Sequence, residues 1–217
     1  MSTVNFVEPT AYGFVPVDRI RTNRAGPSPD PDTVDRLVAA RDWGGISAFL
    51  TTLPTTSERR FAAIGQLGNA AADEDDWLQQ WLRAEPRSAT ALAVLAESMV
   101  RLAWNIRTGQ RAEIVMPDQW TGFFRVLREV PDVCARGSAA DPSDPAPWLA
   151  LLNAARGLQW NRDRYRALCA EVGARAPYSF TAGVRSYHYW LPHWYGSEEL
   201  HASYVADTIA AARAAPD

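Results

Sequence analysis

The stretch that decides the fold is 185-RSYHYWLPHWYGSEELH-201, called the aromatic corner below. Pro192 has no backbone N–H and disfavours helical angles at the residue before it, so a helix that enters this stretch is predicted to end there. Gly196 is predicted to adopt the positive φ of a tight turn. Ser197 is then a suitable N-cap for a last helix that begins at Glu198. The aromatic corner is therefore predicted to join the final two helices of an all-helical protein.

The rest of the chain from Asp30 onward repeats one pattern, a helix-start signal followed by apolar residues at helical spacing. Residues 89–108 are apolar around so much of the helix circumference that this helix is predicted to be central, with Gly109 as its C-terminal cap. The N-caps predicted for the later helices are Asp118, Asp144, Asn161 and Ser179. No stretch alternates between apolar and polar residues for long enough to predict a sheet.

Residues 1–29 differ in composition from the remainder of the chain, because four prolines and two glycines interrupt them. They also carry apolar side chains, including Phe6, Tyr12 and Phe14. We interpret residues 1–29 as an extended arm that packs along the body, and residues 30–217 as a single helical domain.

Composition argues against several classes of protein. The formal net charge of −3 is unlike that of a general nucleic-acid binder. No signal peptide and no membrane-spanning apolar run is found, so a cytoplasmic location is expected. The two cysteines, Cys134 and Cys169, form no Cys-x-x-Cys motif, and neither a metal site nor a cofactor is predicted.

All 22 basic residues are arginine. One explanation is a GC-rich genome, because arginine codons are GC-rich and lysine codons are not. The other explanation is selection for bidentate contacts of guanidinium groups with anions. The arginines considered as binding candidates are Arg101, Arg107 and Arg185.

The three histidines all fall in the aromatic corner, at His188, His193 and His201. Their spacings of five and eight residues differ from the i, i+4 pair that places two metal ligands on one helix face. Packing or surface positions are one interpretation, and a pocket that uses His188, His193 and Tyr187 for catalysis is the other.

The nine tryptophans also admit two interpretations. Those at helical spacing are predicted to pack in the core, and these are Trp77, Trp81, Trp104, Trp120 and Trp148. Trp160, Trp190 and Trp194 stand near predicted helix ends, where a half-exposed indole suits a binding surface.

A faint repeat is visible in the second half of the chain. Pro142 and Pro177 are 35 residues apart and each precedes a predicted helix, which is near the period of tetratricopeptide helical hairpins. The start after Glu85 and the D-P-x-D-P-x-P-W start at Asp141 resemble degenerate tetratricopeptide-like repeats. The corner Leu191–Ser197 resembles the P-[R/K]-W-G-G-S corner of an uncharacterised bacterial domain family of helical-repeat type.

This resemblance covers the chain from Trp81 to the end, and departs from the family pattern at His193 and Tyr195. It implies antiparallel helix pairs stacked as an α-α superhelix, and it implies nothing about activity. Such stacks commonly bind peptides or partner proteins on a concave face. A non-catalytic binding module is therefore the first expectation, and a small-molecule binder or enzyme with its pocket at the aromatic corner is the alternative. Neither nucleic acid nor membrane is an expected partner, and the sequence does not indicate an oligomeric state.

Overall fold

The computed structural model describes residues 30–213, and all regular structure in this range is helical, which confirms the predicted all-α fold. The predicted arm, residues 1–29, lies outside the described residues. No helix between residues 30 and 213 has the length and apolar character needed to cross a bilayer. In chain order the helices are α1 Asp30–Ala39, α2 Trp43–Thr51, α3 Glu58–Asp73, α4 Asp76–Ala84, α5 Ala89–Arg107, α6 Pro117–Leu127, α7 Val130–Ala140, α8 Ala146–Gly157, α9 Arg162–Arg175, α10 Phe180–Tyr189 and α11 Glu198–Arg213.

Most of the predicted N-caps are present. The side chains of Asn161 and Ser179 accept hydrogen bonds from the N–H of the third residue of α9 and α10, and Ser197 does the same for Leu200 in α11. These three interactions depend only on adjacent sequence, which explains why they were predictable. The predicted cap of α8 was wrong, because that helix begins at Ala146 and Pro145 takes the N-cap position, although Asp144 still accepts the N–H of Ala146 (2.9 Å).

Two predicted helix ends were wrong. Helix α5 ends one residue early, because the N–H of Thr108 bonds to the Trp104 carbonyl (3.0 Å) and Thr108 itself adopts a φ of 68°, so Gly109 is not the cap. Helix α6 begins at Pro117 and not after Asp118, because the Gln119 side chain accepts the N–H of Met116 (2.9 Å) and fixes the entry to the helix.

Helix α5 lies at the centre of the fold, as predicted. It packs against α3, α4, α6, α7 and α8, and its residues contribute to both apolar clusters of the core. Trp77 and Trp81, on α4, are buried in one of these clusters. The core therefore forms around α5 because its apolar residues cover more than one face.

A buried ion pair connects residues that are far apart in the sequence. The Arg60 guanidinium in α3 donates two hydrogen bonds to the Asp144 carboxylate before α8, with N–O distances of 2.9 and 2.7 Å. Arg60 also donates to the hydroxyl of Thr90 in α5 (2.9 Å). Both charged side chains are almost fully buried, so each depends on the other for compensation of its charge.

The two residues before Arg60 make further long-range contacts. Arg59 donates to both oxygens of Asp30, the first residue of α1 (2.7 and 2.8 Å). Glu58 accepts hydrogen bonds from the hydroxyl of Ser179 (2.7 Å) and from the hydroxyl of Thr181 (2.6 Å) at the start of α10. The first turn of α3 thus holds the starts of α1, α8 and α10.

Replacement of Asp144 by Asn is expected to destabilise the protein by about 3–5 kcal/mol, because Arg60 would remain buried without a counter-charge. The matched control is Asp163→Asn, which removes the exposed partner of Arg166 and should cost less than about 1 kcal/mol. Urea unfolding of the two variants gives the comparison. Equal losses of stability would show that the buried pair does not have the role described here.

Candidate functional site

The aromatic corner ends α10 and fixes it to α9. The rings of Tyr165 in α9 and Tyr189 in α10 stack in parallel, with centroids 3.5 Å apart. The Tyr189 hydroxyl donates to the Trp160 carbonyl (2.7 Å), and the Arg162 side chain donates to the Tyr195 carbonyl (2.8 Å). The corner is thus held by ring stacking and by hydrogen bonds to the backbone on both of its sides.

Gly196 closes the corner for a different reason from the one predicted. Its φ does not lie in the left-handed range, but a Cβ atom at this position would overlap with the backbone of Trp190. The N–H of Gly196 bonds to the Leu191 carbonyl (3.3 Å). Close approach of two backbone segments, and not positive φ, therefore requires glycine here.

A groove opens beside the corner, between α9, α10 and α11. Its cavity has a volume of about 910 Å³, and its wall on one side is α11, in which no residue is buried. We call it the α10–α11 groove and define it by its lining residues, which are Leu152, Cys169, Val172, Gly173, Ala176, Tyr178, Ser179, Phe180, Ala182, Gly183, Val184, Ser186, Tyr187, His188, Tyr204, Val205, Asp207, Thr208, Ile209, Ala211 and Ala212.

Large apolar side chains in the groove are exposed. Phe180 is 73% exposed, Ile209 46% and Val184 40%. Exposed apolar side chains that cluster in a concave surface are typical of sites that bind apolar groups, whereas single exposed apolar side chains occur on the surface of most proteins. The arrangement suits an apolar ligand or an apolar face of a peptide.

Two pairs of polar groups in the groove lie within hydrogen-bond distance of each other. The Cys169 sulfur lies 3.5 Å from the Ser186 hydroxyl oxygen, and the Tyr204 hydroxyl donates to the Gly183 carbonyl (3.2 Å). Burial raises the pKa of the Cys169 thiol and of the Tyr204 hydroxyl, because each charged form would lose its hydration. Asp207 is the lining residue with a carboxylate, so the groove is apolar with a single acidic position.

The histidines lie at separate positions. Tyr187 and His188 both line the groove. The His188 Nδ1 atom lies 2.9 Å from the Val184 carbonyl oxygen. Because a carbonyl oxygen only accepts, a hydrogen bond here requires Nδ1 to donate. His201 packs edge-on against Tyr187 with centroids 4.4 Å apart, while His193 is near Trp194. Among residues 30–213 no group of three or more His, Cys, Asp or Glu side chains is placed to hold a metal ion.

Three tryptophans and two arginines form a second feature near the corner, which we call the arginine–tryptophan cluster: Trp104, Trp120, Trp194, Arg107 and Arg156. The Arg156 guanidinium lies 5.1 Å from the ring centroids of both Trp104 and Trp194. Arg107 lies over Trp104 (5.4 Å) and Trp120 (5.0 Å). Each arginine thus contacts two indole faces, which is a favourable cation–π geometry.

Arg156 is the unusual member of the cluster. No carboxylate of the described residues lies within ion-pair distance of its guanidinium, and its buried Nε has no hydrogen-bond partner among them. Burial lowers the pKa of Arg156, and the positive charges of Arg107 and Arg185 lower it further. The guanidinium charge of Arg156 is therefore partly desolvated, and its main stabilising contacts are with the indole rings of Trp104 and Trp194.

The structure brings together some of the predicted binding residues and separates others. Arg107 and Trp194 both contact Trp104, so they belong to one cluster. Trp160 is half-buried and lies under the Arg164 guanidinium, whereas Arg101 is exposed on α5.

Two predicted binding residues have structural roles. Trp190 is only 5% exposed, so the expectation of a half-exposed indole there was wrong; Tyr165, Tyr189 and Tyr204 surround it. Arg185 points into the protein and pairs with Glu97 of α5 at 2.5 Å. Both side chains of this pair are largely buried, which leaves Arg185 with a partner inside the fold and not on a binding surface.

Sequence reasoning missed Phe180 and Arg156. Phe180 follows the N-cap Ser179 and has the helical spacing from Val184 that is typical of a buried face, but it is highly exposed. Arg156 lies at the C-terminal end of α8, where the helix dipole by itself accounts for an arginine.

No known protein family, curated protein or solved structure matches the chain. A function for this chain is therefore inferred from the geometry of the α10–α11 groove.

Removal of the Arg156 charge is expected to cost little stability. Arg156→Met keeps an aliphatic side chain between the indoles and removes a desolvated charge, so the free energy of unfolding should fall by less than about 1 kcal/mol or rise. The matched variant Arg185→Met should cost about 3–5 kcal/mol, because Glu97 would be left buried and unpaired. Chemical denaturation of both variants tests this, and a large loss in Arg156→Met would show that the charge itself stabilises the fold.

Proposed function

We propose that this protein is a non-catalytic helical-repeat module that binds an apolar segment of a partner protein in the α10–α11 groove. The observation that carries the proposal is the groove itself, a cavity of about 910 Å³ in which Phe180, Val184 and Ile209 are exposed. Two helices with an apolar channel between them offer the surface that an amphipathic helix or an extended apolar peptide can bury. The proposal keeps the cytoplasmic location expected from the sequence.

The proposal includes a tetratricopeptide-like arrangement of the helices. Contacts of α5 with α8 and of α8 with α10 support it, because these are the helices that follow the starts at Pro86, Pro142 and Pro177. The pairs α7–α8 and α9–α10 succeed one another with the 35-residue offset that separates Pro142 from Pro177. In this arrangement the groove lies beside α10 and α11, the last two helices of the described residues.

The chemistry of the groove favours an apolar peptide over a charged ligand. Its lining residues include a single carboxylate, that of Asp207, and no arginine. The net charge of the chain is −3, which does not favour nucleic acid as a partner. A partner segment with apolar side chains on one face and a basic residue opposite Asp207 fits best.

A small apolar molecule is the second candidate ligand. The volume of the groove lies in the range of about 300–1,000 Å³ that is usual for small-molecule sites. Tyr187 and His188, the two candidates for a catalytic role that line the groove, offer a phenol and an imidazole to such a molecule. Saturable binding of a defined metabolite, with no peptide bound, would favour this candidate.

The peptide proposal predicts the outcome of a selection experiment. Peptides selected on the purified full chain from a phage-displayed random library should be rich in apolar residues, and Val184→Asp or Ile209→Asp should raise their Kd by about tenfold or more, because a carboxylate would become buried against apolar side chains. Fluorescence anisotropy with a labelled selected peptide measures the Kd.

The matched control is Ile114→Asp, which places the same charge on an apolar side chain that is 60% exposed and outside the groove. It should leave the Kd unchanged. The proposed site would be contradicted if Val184→Asp, Ile209→Asp and Ile114→Asp raised the Kd equally, or if none of the three changed it.

A further inference from the structure

The α10–α11 groove leaves apolar side chains uncovered, and this chain contains a segment suited to cover them. Phe180 is 73% exposed in the groove, although contiguous exposed apolar surface is usually covered by a partner. The 29 residues that precede α1 carry seven large apolar side chains within fifteen positions, namely Phe6, Val7, Tyr12, Phe14, Val15, Val17 and Ile20. This apolar content is more than a solvated linker needs.

The N-terminal segment is attached at the side of the protein where the groove opens. Its last residue precedes Asp30, which is held by Arg59 at 2.7 and 2.8 Å. The adjacent residue, Glu58, accepts hydrogen bonds from Ser179 and Thr181. Phe180, at the mouth of the groove, stands between these two residues.

The linker between these apolar residues and the body is long enough for them to reach the groove. Nine residues separate Ile20 from Asp30 and span up to about 30 Å when fully extended, which exceeds the length of α10 and of α11. A tether of this kind gives the segment an effective concentration on the order of 1 mM at the groove. Even a weak intrinsic affinity is then sufficient for occupancy.

Charge favours the same placement. The segment carries three arginines, Arg19, Arg21 and Arg24, against two acidic residues, whereas the chain as a whole has a net charge of −3. The charged side chain in the lining of the groove is the carboxylate of Asp207. An arginine that follows the apolar residues of the segment has an acidic partner available.

We propose that residues 6–20 of this chain occupy the α10–α11 groove until a partner displaces them, so that the protein regulates its own binding site. The part of this statement that concerns displacement rests on the proposed function. The occupancy itself does not, since it requires only the groove and the segment.

Cys169 provides a native reporter for occupancy, because it lines the groove. Cys134 is buried elsewhere in the core and serves as the internal reference. The experiment measures the rate at which a maleimide labels each cysteine in the full chain, by mass spectrometry of peptides. It is run at mildly alkaline pH, since burial raises the pKa of Cys169.

The test variant carries Tyr12→Asp and Phe14→Asp, and the matched control carries Thr22→Asp and Asn23→Asp, which add the same charge outside residues 6–20. The test variant should label Cys169 about tenfold faster than the wild type, as expected for a segment with a Kd of about 0.1 mM at an effective concentration of about 1 mM. The control and the Cys134 rate should not change. A synthetic peptide of residues 4–22, added to the test variant, should restore protection of Cys169.

Equal Cys169 rates in wild type and test variant would overturn the inference. Protection that depends on protein concentration and survives in the test variant would overturn it in favour of a second copy of the chain in the groove.

Selection of phage-displayed peptides on the test variant separates this inference from the proposed function. Peptides that bind it and lose affinity with Val184→Asp, together with unchanged Cys169 labelling, would refute self-occupancy and support the partner site. If Cys169 is labelled faster in the test variant but no peptide is selected on it, self-occupancy is supported and the partner site is refuted.

Discussion

Three consecutive side chains in the first turn of α3 determine how distant parts of this chain come together. Arg60 pairs with Asp144 inside the protein, and Glu58 accepts hydrogen bonds from the start of α10. These two contacts join segments more than eighty residues apart in sequence, and Arg59, between them, holds the start of α1 through Asp30. A helix can direct neighbouring side chains to separate partners because successive residues point about 100° apart around its axis. The relative positions of α8 and α10, and hence the floor of the groove, depend on this turn.

The two walls of the groove are held very differently. Helix α10 contacts α3, α8, α9 and α11, and the ion pair of Arg185 with Glu97 fixes its middle to α5. Helix α11 packs against α10 and buries no residue fully. Local opening costs least where few apolar contacts are lost, so α11 is the wall that can adjust to a ligand, while α10 remains in place.

The sequence was sufficient to predict the features of the fold that depend on residues close together in the chain. The helical class, the central position of α5 and the caps Asn161, Ser179 and Ser197 all follow from short-range pattern. The Glu97–Arg185 pair does not, because its members are 88 positions apart and each looks like an ordinary surface charge. The burial of Trp190 was missed for the same reason.

The candidate site was predictable in part. The aromatic corner was located correctly at the end of α10, and Tyr187 and His188 do line a cavity. The cavity itself was not predictable, since it arises where α11 leaves part of α10 uncovered. Periodicity shows which face of a helix is apolar but not whether another helix covers that face. Phe180 is the clearest example, because its position in the helical pattern suits a core residue although it is exposed.

The stacked rings of the corner bear directly on how well the groove can bind. Tyr165 and Tyr189 lie face to face at 3.5 Å, and Trp190 packs between them and Tyr204 of α11. A binding site that is ordered before its ligand arrives loses less conformational entropy on binding. Tyr204 lines the groove, so these aromatic contacts order one part of its wall, whereas the side chains of Phe180 and Val184 are exposed. A ligand therefore meets an aromatic surface that is already packed together with exposed apolar side chains, and this combination suits segments that share apolar character without sharing one sequence.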